Sequence, residues 1–192
     1  MTVVPLKLSA AQQLLLVGKP VRVKALAKSK LYVGVKEHPA GSNRGPHIDR
    51  WCHWANGLYG YPWCSAFVCG MVREVSGLIL PEPRRASVGF LEGWAKAHGE
   101  LLKPGTQPRP GDLVCYRFDD DNWPDHIGFV DQVLHAEWGG STGYFIGSLR
   151  TIEGNTSAGD DANGGQVQVR YRSDVRCRFV RLDAKKLIPL GR

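Results

Sequence analysis

The sequence predicts an α+β fold, with helices in the first half of the chain and an antiparallel β-sheet in the second. Up to about His98, apolar residues recur at helical spacing; from Pro110 the period drops to two, between clusters of Gly, Asn, Asp and Ser. Helices first and sheet second is the α+β order. The third observation is size: 192 residues with 43% apolar content suffice for one domain with a real core. No internal repeat, low-complexity segment or second domain is visible. Residues 1–192 therefore read as a single domain, with a core of about 21–182 and short terminal extensions.

The elements follow in order. Ser9-Ala10-Ala11-Gln12 has capping-box character and opens a short helix through Val17, ended by Gly18 and Pro20. Leu14-Leu15-Leu16-Val17 reads as a short buried face, far below membrane-spanning length. Val21 to Tyr32 is a second helical stretch, with its lysines on the outer side. Turn formers from Pro39 to Pro46 mark a surface loop before the segment Ile48 to Leu58. The turn Tyr59-Gly60-Tyr61-Pro62 leads into Trp63-Cys64-Ser65-Ala66-Phe67-Val68. Apolar residues continue at Met71, Val72 and Val75, the spacing of a helix packed on a core. Another helix spans Ser87 to His98. Strands are expected at 112–118, 126–133, 144–149, 151–153, 167–171 and 175–181. Val167, Val169 and Tyr171 alternate with Gln168 and Arg170, as in a half-exposed antiparallel sheet.

Cys64 stands at the start of its helix. Free backbone N–H groups and the positive dipole end favour an anionic sulfur there, which is how a cysteine becomes a nucleophile. A buried structural cysteine is the competing reading, because free Cys is among the most buried residue types. A nucleophilic thiol also needs a base, and the base a third group to hold it. His126 opens the expected strand His126-Ile127-Gly128-Phe129-Val130, where a polar tip stays accessible. Glu153 and Asn155, in Thr151-Ile152-Glu153-Gly154-Asn155-Thr156, supply a carboxylate and an amide, and either chemistry can hold an imidazole. Asp125 is a weaker rival, since neighbours on a strand face opposite ways. Tyr61, Trp63 and Trp123 suit either a groove wall or plain core packing.

The formal net charge is +7, with 25 Lys and Arg against 18 Asp and Glu. Basic residues crowd both ends, and no acidic residue precedes Glu37. Nucleic-acid binding is one reading of such ends, but aromatics are not interleaved with the charges as a base-stacking platform requires. Attraction to a polyanionic surface is another, and a merely solvated surface is the third. Five cysteines, Cys52, Cys64, Cys69, Cys115 and Cys177, form no disulfide framework, and no Cys-x-x-Cys pair suggests zinc. The first residues lack the layout of a secretory signal.

Four motifs in fixed order carry a resemblance: Trp63-Cys64-Ser65-Ala66-Phe67-Val68, Pro110-Gly111-Asp112-Leu113-Val114, Asp125-His126-Ile127-Gly128-Phe129-Val130 and Ile152-Glu153-Gly154-Asn155-Thr156. Over residues 30 to 182 the chain resembles the CHAP family, the cysteine, histidine-dependent amidohydrolases/peptidases, closest to phage endolysins. The resemblance implies a papain-like fold and cleavage of an amide bond in bacterial peptidoglycan. Carried over by position, Cys64 would be the nucleophile, His126 the general base, Glu153 its orienting partner and Asn155 a supporting polar group. It further implies a monomer made in the host cytoplasm, released by a holin and acting at the cell wall, with no nucleic acid bound and no membrane insertion. No cofactor is expected. Calcium occurs in some members, but here the stretch Ile48 to Gly60 offers only Asp49 as a carboxylate, and Asp119-Asp120-Asp121 reads as a solvated turn. A catalytically silent wall-binding or virion domain, or a basic nucleic-acid-binding protein, remains as an alternative.

Overall fold

A computed structural model describes the chain except for residues 1–3, 82, 120, 140–143, 159–162, 174–175 and 190–192. Five helices precede the main sheet: α1 (Ala10–Leu15), α2 (Val21–Lys30), α3 (Pro46–Trp54), α4 (Cys64–Ser76) and α5 (Val88–Ala97). Strands β2 (Leu113–Arg117), β3 (His126–His135), β4 (Ser148–Thr156), β5 (Gln166–Arg172) and β6 (Arg176–Val180) form one antiparallel sheet in the order β5-β4-β3-β2-β6. The α+β architecture is the one the change of period implies.

Local signals explain the helix limits. The Ser9 hydroxyl accepts from the Gln12 N–H, and the Gln12 side chain accepts from the Ser9 N–H, closing a capping box. Pro46 starts α3, where its missing N–H costs nothing. Gly77 ends α4 with a φ of 70°, a left-handed conformation suited to glycine.

Helix α4 is the centre of the molecule. Phe67, Val68, Met71 and Val72 are fully buried, with α2 and α3 on one side and β3 and β4 on the other. Trp51 of α3 joins these layers, its ring 5.1 Å from Tyr32, 5.9 Å from Trp63 and 5.2 Å from Phe67. A second cluster, including Val114, Tyr116, Val130, Phe145 and Phe179, covers the other face of the sheet.

Several sequence expectations change. The strands expected at 144–149 and 151–153 meet in β4 only from Ser148 onward, where Arg150 pairs with Asp131 on β3 and does not interrupt the ladder; Phe145 makes isolated bridges to Trp138 and Cys177. The middle of the sheet is buried on both faces, not half-exposed. In β5, an edge strand, Val167 is buried as expected, but Val169 and Tyr171 are exposed and Arg172 is buried. Leu14, Leu15 and Val17 are exposed, since α1 buries no residue. Lys28 is buried, its ammonium 3.1 Å from the Glu74 carboxylate. The C-terminal extension is integrated: Leu187 is buried, and β7 (Ile188–Pro189) pairs with β1 (Leu78–Ile79). Asp120 and Val175, parts of an expected turn and strand, lie outside the described residues. All five cysteines are free and buried, with Cys115 and Cys177 in the clusters on opposite sheet faces.

Trp51 should therefore carry much of the helix layer. Trp51→Ala is expected to cost about 3–5 kcal/mol, visible as a lowered urea midpoint; an unchanged midpoint would contradict this packing.

Candidate active site

Cys64 is the first residue of α4, after the turn that ends at Pro62. Trp63 provides no side-chain cap, so no side chain there competes for the first-turn N–H groups. His126 is the first residue of β3, and its imidazole interacts electrostatically with the Cys64 thiol. The helix and the sheet thus bring the two together across sixty-two positions of chain, counted from 64 to 126.

The third group is Glu153. Its Oε2 is 3.0 Å from His126 Nε2, and both side chains are wholly buried. Strand register explains the pairing. Glu153 lies directly opposite Gly128, and His126 is two residues from Gly128 on the same face. A side chain at 128 would fill the space through which Glu153 leans toward the ring: an added Cβ would come within 2.6 Å of Glu153 Cγ. The next residue, Gly154, faces the helix instead, where a Cβ would stand 2.7 Å from the Phe67 side chain. The two glycines set the distance between sheet and helix.

Glu153 is itself held. Arg172 grips it with both arms of the guanidinium, Nε to Oε1 at 3.0 Å and Nη2 to Oε2 at 2.5 Å, and the Thr151 hydroxyl donates to Oε1 at 2.6 Å. Burial alone would raise the Glu153 pKa, but the hydrogen bonds from His126 and Arg172 reverse that and hold it at about 2. An ionised carboxylate only accepts, so the imidazole proton sits on Nε2. In the neutral ring Nδ1 keeps its lone pair; it is buried, with no hydrogen-bond partner among the described residues. Burial also works against a charged His126, yet its interactions with Cys64 and Glu153 overcome it and raise the imidazole pKa to about 9. Tyr116, opposite His126 across β2 and β3, stacks on the ring at 6.1 Å and shields it from water.

The other expected residues sort clearly. Asn155, at a φ of 60° in an irregularity of β4, donates to Asn163 at 3.3 Å, whereas the His126 Nε2 bond goes to Glu153. Asp125 accepts from the Phe118 N–H at 2.7 Å and so fastens the turn ahead of β3. Trp63 does not wall a groove: it is fully buried and its indole N–H donates to Glu37 at 2.9 Å. Tyr61 and Trp123 are exposed. Tyr61 lines a groove with Pro62, Ala66 and Phe90, directly beside Cys64 in the chain. Arg172 and Thr151 escaped the sequence reading. Thr151 was detectable as the same-face neighbour of Glu153, but Arg172 lies one residue past the strand as read, with nothing local to mark it as buried.

A cysteine at a helix start, an imidazole and a buried carboxylate in line form the core of a cysteine acyl-transfer site. A family model, the CHAP domain, matches residues 56–155, slightly over half of the chain and all three of these residues. The chain belongs to the CHAP family. Neither the curated proteins nor the solved structures contain a significant match to it. CHAP domains are papain-like and in general cysteine, histidine-dependent amidohydrolases, so the chain carries an amidohydrolase type of function directed at peptidoglycan. The family match ends before β5 and β6, yet these strands complete its sheet and contribute Arg172.

The paired charges make stability depend on pH in a defined way. The raised His126 pKa contributes stability in full below about pH 6.5, lost as pH rises through about 9. The lowered Glu153 pKa contributes above about pH 4.5, lost as pH falls through about 2. Glu153→Gln is expected to move the His126 titration, followed by NMR of the imidazole, from about 9 toward the ordinary value of 6.5. A titration that stays in place would show that the carboxylate does not hold the ring. Arg172→Met leaves buried Glu153 with only His126 and Thr151, and breaking this buried ion pair should cost about 3–5 kcal/mol in denaturant unfolding.

Proposed function

We propose that this protein hydrolyses an amide bond in the peptide portion of bacterial peptidoglycan, with Cys64 as nucleophile, His126 as general base and then acid, and Glu153 as the group that fixes the imidazole. The observation that supports this best is the meeting of Cys64 at an uncapped helix start with an imidazole whose other nitrogen is bound to a buried, ionised carboxylate.

The chemistry is acyl transfer. The sulfur attacks the substrate carbonyl carbon after its thiol proton has passed to His126 Nδ1, a transfer the raised imidazole pKa favours. The carbonyl oxygen becomes an oxyanion, stabilised by backbone N–H groups at the start of α4, including that of Cys64; such donors are worth about 3–4 kcal/mol each. The tetrahedral intermediate collapses, the C–N bond breaks, and the leaving amine receives the proton from Nδ1. Water, deprotonated by the same nitrogen, then attacks the thioester and releases a carboxylic acid, returning the thiol. Arg172 and Glu153 do not move in this scheme. Their fixed charge favours the imidazolium each time it forms. Asn155 supports β4 beside Glu153.

The scheme uses no metal or other cofactor, and one chain supplies every group. The endolysin setting belongs to the same reading: synthesis in a host cytoplasm, passage with the help of a holin, and action at the wall. The +7 charge supports it, because a cationic enzyme is drawn to a polyanionic wall. The bond cut is either that between the sugar lactyl group and L-alanine or one within the stem peptide or cross-bridge; the same three side chains serve both.

Cys64→Ala and His126→Ala should each abolish release of soluble fragments from purified walls while leaving the circular dichroism spectrum unchanged; wild-type clearing by Cys64→Ala would refute the assignment. Mass spectrometry of the fragments identifies the bond from the newly formed amine. Because the leaving amine draws its proton from the imidazolium, the wild-type rate should fall as pH rises through about 9. In Glu153→Gln the fall should come at lower pH. Activity should survive EDTA.

A further inference from the structure

On the far side of the loop that precedes His126, an open cleft of about 570 Å³ lies between α5, β2 and β6, with Trp123 and Pro124 of that loop in its wall. Among the described residues that line it four are cations, Lys96, Arg117, Arg176 and Arg178, and one, Glu92, is a carboxylate. Three of the guanidiniums converge on a single ring: Arg117, Arg176 and Arg178 lie 5.1, 5.1 and 4.6 Å from the centre of Tyr144. Like charges so close repel unless an anion stands between them.

Glu92 answers only part of this demand. Its Oε1 accepts from Arg117 Nη2 at 2.5 Å and lies 3.8 Å from Arg178 Nη1. Arg117 Nε and Arg176 Nη2 are spent on the main-chain carbonyls of Asn122 and Asp121. The carboxylates of Asp119 and Asp121, on the same loop, accept from the loop's own N–H groups. Among the described residues two buried donors, Arg117 Nη1 and Arg176 Nε, and one buried acceptor, Glu92 Oε2, have no partner, and Arg117 as a whole is only 4% exposed. A buried guanidinium N–H with nothing to bind costs free energy that an incoming oxygen anion recovers.

We propose that this cleft is a binding subsite for a carboxylate of the wall peptide, taken up by Arg117, Arg176 and Arg178 while the adjoining part of the peptide reaches Cys64. It rests on the hydrolase reading above. A carboxylate is favoured over a phosphate because Arg117 already takes one carboxylate here, through a single bond from Nη2 to Glu92 Oε1. Continuity supports the same choice. Trp123, in the wall of the cleft, packs edge-on against Phe90 at 5.9 Å, and Phe90 lines the groove with Tyr61, Pro62 and Ala66 beside Cys64. Lys96, exposed on α5, adds charge at the rim.

The test uses the full chain carrying Cys64→Ala and a soluble fluorescent muropeptide, either with free carboxylates or with them converted to methylamides. The free acid is expected to bind roughly tenfold more tightly than the methylamide, and Arg178→Gln or Lys96→Gln should reduce that preference. Both substitutions are at partly or fully exposed side chains, and circular dichroism checks that they fold. Equal binding of the two probes, or a preference that survives both substitutions, would overturn the proposal. So would Arg178-dependent binding of poly(glycerol phosphate) with no preference for the free acid, which would make the cleft a phosphate site. Fragment release from walls by the unsubstituted chain is scored separately. A chain that prefers the free acid in this way yet releases nothing would disprove the hydrolase reading and leave the anion site standing.

Discussion

The site depends on a charge kept where water cannot reach it. Glu153 is wholly buried, and a lone carboxylate there would protonate. Arg172 prevents this with a two-armed bond, and Thr151 satisfies a remaining lone pair. The carboxylate so fixed orients the His126 imidazole and frees Nδ1 for the thiol. Removing Arg172 would change the state of His126 without touching it, through Glu153. A buried ion pair is often a poor stabiliser, since desolvation offsets attraction. Here the arrangement is better understood as setting a tautomer and a charge.

That chain of charges works only if helix and sheet stand at the right separation. Gly128 opens the space Glu153 needs on one face of the sheet, and Gly154 lets the sheet come close to Phe67 on the other. Trp51, Trp63 and Phe67 fill the helix side with rings in mutual contact. Trp63 is tied further by its indole bond to Glu37, so the residue just before the cysteine is set by the core. The position of the sulfur is thus a consequence of packing.

Much of this was legible in the sequence because it is local. The capping box at Ser9, the apolar spacing after Cys64 and the strand at His126 each announce themselves within a few residues. The alternation in β5 misled, since the period of two reveals two faces without saying which is inward. A charge partner on a neighbouring strand decided that, and it turned Arg172 in and Tyr171 out. On the residues alone the choice between Glu153 and Asn155 stayed open for the same reason: both are buried on β4, and register with β3, not composition, selects the carboxylate. The exposed Leu14 and Leu15 show the limit of reading burial from hydropathy in a six-residue helix that no other element covers.

Two arginine–carboxylate arrangements on the same sheet differ in one respect that bears on function. Around Glu153, one arginine, a threonine and the histidine saturate one carboxylate, and the assembly is closed. Around Glu92, three arginines gather but only Arg117 and Arg178 reach the carboxylate, and among the described residues two buried N–H groups and one carboxylate oxygen have no partner. A saturated network is rigid and can hold an imidazole in place. An unsaturated one retains an excess of positive charge and open donors, which only a further anion can balance. The fold thus uses one chemistry twice: complete, to hold its base, and incomplete on the other side of the loop before His126, where a substrate can finish it.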